Sequence, residues 1–172
     1  MEVLSTTATG RGMYITQTTD DSNAAVFKLR KSRGTTSTPG AILNGDFIAN
    51  FSFQGHDGSG FADASNIRTL ATENWTPTSR GSAMIFQTVP PGTAVSQEHV
   101  RIDGYGNVGI STPAPMMDLE VNGGVRLNTA DTQPACDQNS RGTFWVVQSN
   151  TGDTVEVCIF SGGVYAWRIL AN

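Results

Sequence analysis

Apolar and polar residues alternate with a period of two along much of this chain. In Phe47-Ile48-Ala49-Asn50-Phe51-Ser52-Phe53-Gln54, the residues Phe47, Ala49, Phe51 and Phe53 fall on one face while Asn50, Ser52 and Gln54 fall on the other, the pattern of a half-buried strand. Comparable patterns predict strands over Met13 to Thr18, Ala25 to Arg30, Ala83 to Val89, Gly142 to Gln148, Thr154 to Phe160 and Val164 to Ile169, each bounded by Gly, Pro, Asn or Asp. His56-Asp57-Gly58-Ser59-Gly60 reads as a turn. One stretch fits two periods: Ile67, Leu70, Ala71, Asn74 and Trp75 make a helical stripe, and Ile67, Thr69, Ala71 and Trp75 make an interrupted strand. The β-rich surroundings decide for a strand. Short strands at this spacing predict an all-β chain whose main domain is an antiparallel sandwich, jelly-roll-like fold or β-prism.

Three parts are expected: a β-rich domain over residues 1–99, a Gly/Pro-rich neck over 100–130, and a terminal unit over 131–172. In the neck, Gly104, Gly106, Gly109, Gly123 and Gly124 leave apolar couplets such as Val108/Ile110 and Leu119/Val121, each too short to bury a face within one chain. In the terminal unit, Asn150-Thr151-Gly152-Asp153 and Ser161-Gly162-Gly163 link three strands into a meander. Three strands of that length do not make an independent core. Threefold association would supply the missing faces and remove exposed strand edges, so an intertwined homotrimer is expected.

Composition narrows the function classes. Among 172 residues Gly is abundant, Lys28 and Lys31 are the only lysines, and the formal charge is −4. Such a chain presents no basic field for nucleic acid and no cationic amphipathic helix for a membrane surface. No apolar run approaches a membrane span, and the first residues lack the basic stretch and hydrophobic core of a secretory leader, so targeting information is expected upstream. Cys136 and Cys158 lie 22 positions apart. They fit a single disulfide or two buried thiols, since an oxidising compartment permits a bridge and a reducing cytosol does not.

Candidate chemistry is sparse. Gly104-Tyr105-Gly106-Asn107-Val108-Gly109 matches the dinucleotide fingerprint letter for letter, but Pro113 and Pro115 forbid the helix whose N-terminus would face a pyrophosphate. No cofactor is expected. His56-Asp57 has no nucleophilic serine in an elbow to serve, the turn from Asp57 to Asp63 lacks the oxygen spacing of a calcium loop, and the two cysteines lack zinc spacing. Asp57, Asp63 and Glu73 are the acids from which a glycan-cleaving pair would be drawn, and spacing does not bring two of them to one cleft. Lys28, Arg30, Lys31 and Arg33 read better as a solvated strand edge than as an anion grip. Of the aromatics able to stack on a sugar ring (Trp75, Trp145, Trp167, Tyr105 and Tyr165), Tyr165 and Trp167 share a face with Ile169 and read as packing. Trp75 lies in a polar stretch. His56, Asp57, Glu73, Asn74 and Trp75 are therefore the expected ligand contacts, on exposed loops, and no catalytic or metal residue is assigned.

The segment Asp103-Gly104-Tyr105-Gly106-Asn107-Val108-Gly109-Ile110, followed through prolines by Leu119-Glu120-Val121-Asn122-Gly123, resembles the neck of phage tail fibres and phage-like trimeric adhesins. Residues 27–34, Phe53-Gln54-Gly55-His56-Asp57-Gly58 and Ala71-Thr72-Glu73-Asn74-Trp75-Thr76 look like a distal β domain of tail-fibre and tail-spike proteins. Cys136-Asp137, Arg141-Gly142-Thr143-Phe144-Trp145, Val157-Cys158 and Tyr165-Ala166-Trp167-Arg168 look like a small fibre-tip unit. The resemblance implies a parallel homotrimer at the end of an extracellular fibre, on a virion tail or a bacterial surface, adhering to a cell-surface glycan or lipopolysaccharide without catalysis. A polysaccharide-depolymerising tail spike and a purely structural trimerisation module are the alternatives. The chain departs from the commoner arrangement, in which an intramolecular chaperone follows the neck, and the family carries no fixed set of ligand residues.

Overall fold

The computed structural model describes residues 15–127 and 132–171, and every helix-or-strand element among them is a strand. The chain divides into two compact units, Met1–Asn122 and Gly123–Asn172. In the first, β1 (Arg33–Gly34) and β2 (Pro39–Gly40) form a small ribbon. β3 (Phe47–His56), β4 (Phe61–Ala71), β5 (Ser82–Thr88), β6 (Gln97–Ile102), β7 (Val108–Ile110) and β8 (Leu119–Val121) form one six-stranded sheet in chain order. Neighbours are antiparallel as far as β7, and β7 pairs with β8 in parallel. The all-β expectation holds: among the described residues the main sheet is open, its six strands side by side in chain order and antiparallel up to the final β7–β8 pair.

Two expectations fail locally. Residues 15–32 form no strand, so neither Ala25 to Arg30 nor the described part of Met13 to Thr18 is one, and Met13 lies outside the described residues. Alternation describes a surface with two faces, whereas a strand also needs a partner for its backbone. Here Phe27 contributes instead a tilted ring contact with Phe51, centroids 5.8 Å apart. The second failure is the face assigned to Phe47. The β3/β4 register slips between Phe47 and Ala49, so Phe47 opposes Leu70 while Ala49 opposes Thr69. This bulge turns the Phe47 ring to the other side of the sheet, where the Arg68 guanidinium lies 5.1 Å from its centroid.

The neck is also drawn differently. Val108–Ile110 and Leu119–Val121, expected in a separate connector, are the last two strands of the sheet, and the division of the chain falls between Asn122 and Gly123. Gly109 makes this possible. The chain folds back over it from Ile110, and a Cβ there would lie 2.3 Å from the Thr112 carbonyl oxygen. The couplets thus find backbone partners within their own chain. Val108 and Val121 are half-buried, while Ile110 and Leu119 stay exposed.

Residues directly opposed in a ladder share a face. One row across the sheet runs Phe51, Ile67, Phe86, Val100, Ile110, Val121, and the next runs Ala49, Thr69, Met84, Ile102, Val108, Leu119. This face is almost wholly apolar and much of it is open: Leu119 is 61% exposed, Phe53 54% and Met84 45%. The opposite face carries Asn50, Arg68, Ile85, Arg101, Gly109 and Glu120 in one row and Ser52, Asn66, Gln87 and Glu98 in another. Ile85, Ala83 and Asn66 are buried on that side, at 2%, 1% and 1% exposure, whereas on the apolar face Ala71, at the end of β4, is enclosed.

In the second unit β9 (Phe144–Val147), β10 (Thr154–Ser161) and β11 (Val164–Ala171) form the expected meander, β10 in the middle. Gly162 and Gly163, both at positive φ, make the two-residue turn between β10 and β11. The strand face carrying Trp145, Glu156, Cys158 and Trp167 is strapped by residues 132–136. There the Gln133 amide donates to Glu156 (2.7 Å), the Trp167 indole N–H donates to the Pro134 carbonyl (2.9 Å), and Cys136 is disulfide-bonded to Cys158. The other face, with Phe144, Val146, Val155 and Val157, has no such strap among the described residues, and Phe144 is exposed.

The bridge closes a loop of 22 positions, which in the chain-entropy account contributes about 3 kcal/mol. Reduction, or the double change Cys136→Ser and Cys158→Ser, is therefore expected to lower the melting temperature of the Gly123–Asn172 unit. Near-ultraviolet circular dichroism follows this through Trp145 and Trp167, whose rings lie 6.5 Å apart beside the strap.

Candidate functional site

The five expected ligand residues separate into two groups. His56 and Asp57 form the β3–β4 hairpin tip. Asp57 donates its N–H to the Gly60 carbonyl (3.0 Å), and its carboxylate accepts from the N–H groups of Ser59 and Gly60. The His56 imidazole accepts from the Gly58 N–H at 3.1 Å and meets Phe61 edge-on. These side chains hold the turn together. Glu73, Asn74 and Trp75 lie beyond the far end of β4, a separation of about 34 Å or more at the rise of a strand.

Within the second group the three residues have different work. The Asn74 side-chain oxygen accepts from the Asn44 N–H (2.9 Å), while Trp75 donates its backbone N–H to the Ile42 carbonyl (2.9 Å) and its indole N–H to the Gly81 carbonyl (3.1 Å). Both residues latch the loop after β4 to the segment before β3. Trp75 is half-buried and borders a shallow recess of about 320 Å³ with Lys31, Ile42 and Pro77. Arg33, the last of the basic cluster, is also committed, with two 2.6 Å bonds to the Asp46 carboxylate.

Glu73 belongs to another place. It lines a cleft of about 500 Å³ at the end of the sheet, with Gly81, Arg101, Asp103, Gly104 and Tyr105. The Asp103–Asn107 turn builds one wall. Asp103 accepts from the N–H groups of Tyr105 and Asn107, both at 2.9 Å, and Gly106 supplies the positive φ. This is the glycine run that imitates a nucleotide fingerprint; its third glycine, Gly109, sits in β7 and opens no helix. The turn projects Tyr105, which is 94% exposed. Arg101 forms a two-pronged pair with Glu98, at 2.7 and 2.9 Å, which raises its pKa. Arg101 and Asp103 escape sequence reasoning because they gain their meaning from the β5–β6 register. Tyr105 has a local signal: an aromatic between two glycines has no place on a packed face.

The carboxylates are held ionised. Hydrogen bonds from Ser79 and then the Gly81 N–H lower the pKa of Glu73, backbone N–H groups of Gly60 and Ser59 lower that of Asp57, and Ser52 (2.6 Å) and Gln54 (2.8 Å) lower that of Asp63.

Trp75→Ala is expected to cost about 2 kcal/mol of stability in denaturant unfolding, through the lost indole bond to Gly81 and the half-buried ring, and Asn74→Ala about 1 kcal/mol through the lost bond to Asn44. The depressed carboxylates give a pH dependence of defined sign. Their contribution is complete above the unfolded pKa values near about 4 and is lost as pH falls below them. Melting temperature should fall on acidification below about pH 4, and Asp63→Asn should make that fall smaller.

No family model and no curated protein matches this sequence. The structure is similar to the carboxy-terminal domain of the bacteriophage T5 L-shaped tail fibre, at 10% identity and a TM-score of 0.51, over 88% of this chain and 83% of that one. The same domain solved with its intramolecular chaperone domain is 16% identical with a TM-score of 0.47, over 78% of this chain and 40% of that longer one. The first likeness, spanning both units at low identity, is one of fold: this chain has the architecture of a phage tail-fibre carboxy-terminal domain.

Proposed function

We propose that three copies of this chain assemble into the distal part of a fibre on a virion tail, and that the assembly adheres to carbohydrate on a target cell without chemistry. The observation that carries the reading is the uncovered apolar face spanning all six strands, from Phe51 on β3 to Val121 on β8. At the spacing of strands it is about 24 Å across, and soluble monomers rarely leave such a surface in water. Each half-exposed Met, Leu, Ile or Phe covered by a neighbouring chain contributes on the order of 1 kcal/mol. Two further copies are the occupants that fit, because a closed ring of identical chains covers this face in every copy. The tail-fibre architecture supports the same assembly.

Adhesion is favoured over depolymerisation by the acids. A glycosidic general acid keeps its proton near neutral pH through a raised pKa. Asp57, Asp63 and Glu73 are all pushed the other way by the groups bonded to them. Weak sugar contacts repeated three times on one axis gain avidity.

Light scattering should give a mass of three 18.3 kDa chains. Ile110→Asp and Met84→Asp, each placing charges on the apolar face, should dissociate the assembly or lower its melting temperature sharply. A stable monomer at micromolar concentration, or full retention of mass and melting temperature by both variants, would refute it. Release of oligosaccharide from purified surface polysaccharide would favour the depolymerase.

A further inference from the structure

We propose that the cleft between the β4–β5 loop and the Asp103–Asn107 turn is the sugar site, and that it takes an uncharged or N-acetylated hexose unit rather than an acidic one. The inference rests on the adhesion reading above and adds to it a place and a ligand class. Tyr105 is the platform: a nearly fully exposed ring at the rim of a cleft offers its face to the C–H side of a pyranose. Two glycines in the lining let the wall pack closely. A Cβ on Gly81 would lie 2.8 Å from the Glu73 carboxylate, and one on Gly104 would lie 3.3 Å from the Ser82 carbonyl oxygen.

The charges select the class. Glu73 and Asp103 are carboxylates, acceptors suited to the hydroxyl and amide hydrogens of a sugar. Arg101 supplies no net attraction for anions, because the Glu98 carboxylate matches its charge across both prongs. Its remaining N–H groups are donors for a ring or acetyl oxygen. A uronic acid, sialic acid or phosphorylated sugar would therefore enter a field of net negative sign. The expected contacts His56 and Asp57 have no part in this site, and Trp75 supports it only by anchoring the loop that carries Glu73.

The test uses the full chain on an array of immobilised neutral, N-acetylated, uronic and sialylated oligosaccharides, followed by calorimetric titration with the strongest soluble hit. Binding is expected among the neutral or N-acetylated probes. Tyr105→Ala should weaken it about tenfold, and Tyr105→Phe should retain it within about twofold, with melting temperature unchanged in both. Gly81→Ala should weaken it by displacing the Glu73 carboxylate, while His56→Ala should leave it unaltered. Hits confined to acidic probes, or full affinity in Tyr105→Ala, would overturn the site. Adhesion of the labelled chain to a panel of whole bacteria separates the outcomes. Cell binding that survives Tyr105→Ala removes this cleft and leaves the adhesin, whereas binding to no glycan and no cell removes both.

Discussion

The rest of this structure depends on one imbalance: the six-stranded sheet has two faces, and the chain covers the wrong one for a monomer. Burial of apolar surface is the main favourable term in folding. Here the side with Arg68, Asn66, Gln87 and Arg101 holds the fully buried Ile85 and Ala83, while the side with Phe51, Phe86, Met84 and Ile110 stays open. Such an arrangement is intelligible when the free energy of the fold is completed between chains. It also accounts for the alternation that dominates the sequence, since a single-layer sheet must present a coherent apolar face to whatever covers it.

The same constraint explains how the loops are built. With little interior to pack against, the connections are fixed by polar bonds. Asp57 organises the β3–β4 tip, Asp103 the β6–β7 turn, and Asn74 with Trp75 the junction beside β4. In the second unit Asp137 does the same ahead of β9, accepting from the Asn139 and Ser140 N–H groups, and the disulfide adds a covalent tie. Carboxylates used in this way have their oxygens held by backbone N–H groups. They are good fixed acceptors around a recess, which links the economy of the fold to the binding role proposed for it.

The two expected loop sites show how far proximity in sequence misleads. Glu73 and Trp75 are two residues apart, yet one lines the cleft beside Tyr105 and the other borders a different recess beside Lys31 and Ile42. Tyr105, in a segment resembling a neck, supplies the exposed ring that the polar stretch around Trp75 predicts there. The difference lies in partners: Trp75 has a carbonyl within reach of its indole N–H, and Tyr105 stands on a glycine turn clear of every strand.

What the sequence determined alone was everything that depends on neighbours along the chain. The strand identity of β3, β5, β9, β10 and β11, the turns at Asp57–Gly60 and Gly162-Gly163, and the likeness to tail fibres were all legible, because period-two patterning and turn chemistry are local. Tertiary structure decided what depends on register and partners. A bulge moved Phe47 to the opposite face, the want of a backbone partner left Ala25 to Arg30 without a strand, and pairing with β6 drew β7 and β8 out of the expected neck into the sheet. It also chose the bridge between Cys136 and Cys158 over two free thiols, and gathered Glu73, Arg101 and Tyr105 at one end of the sheet. The physical reason is common to all of these: a strand's pattern says which residues want cover, and only the hydrogen-bonded ladder says which residues stand beside one another.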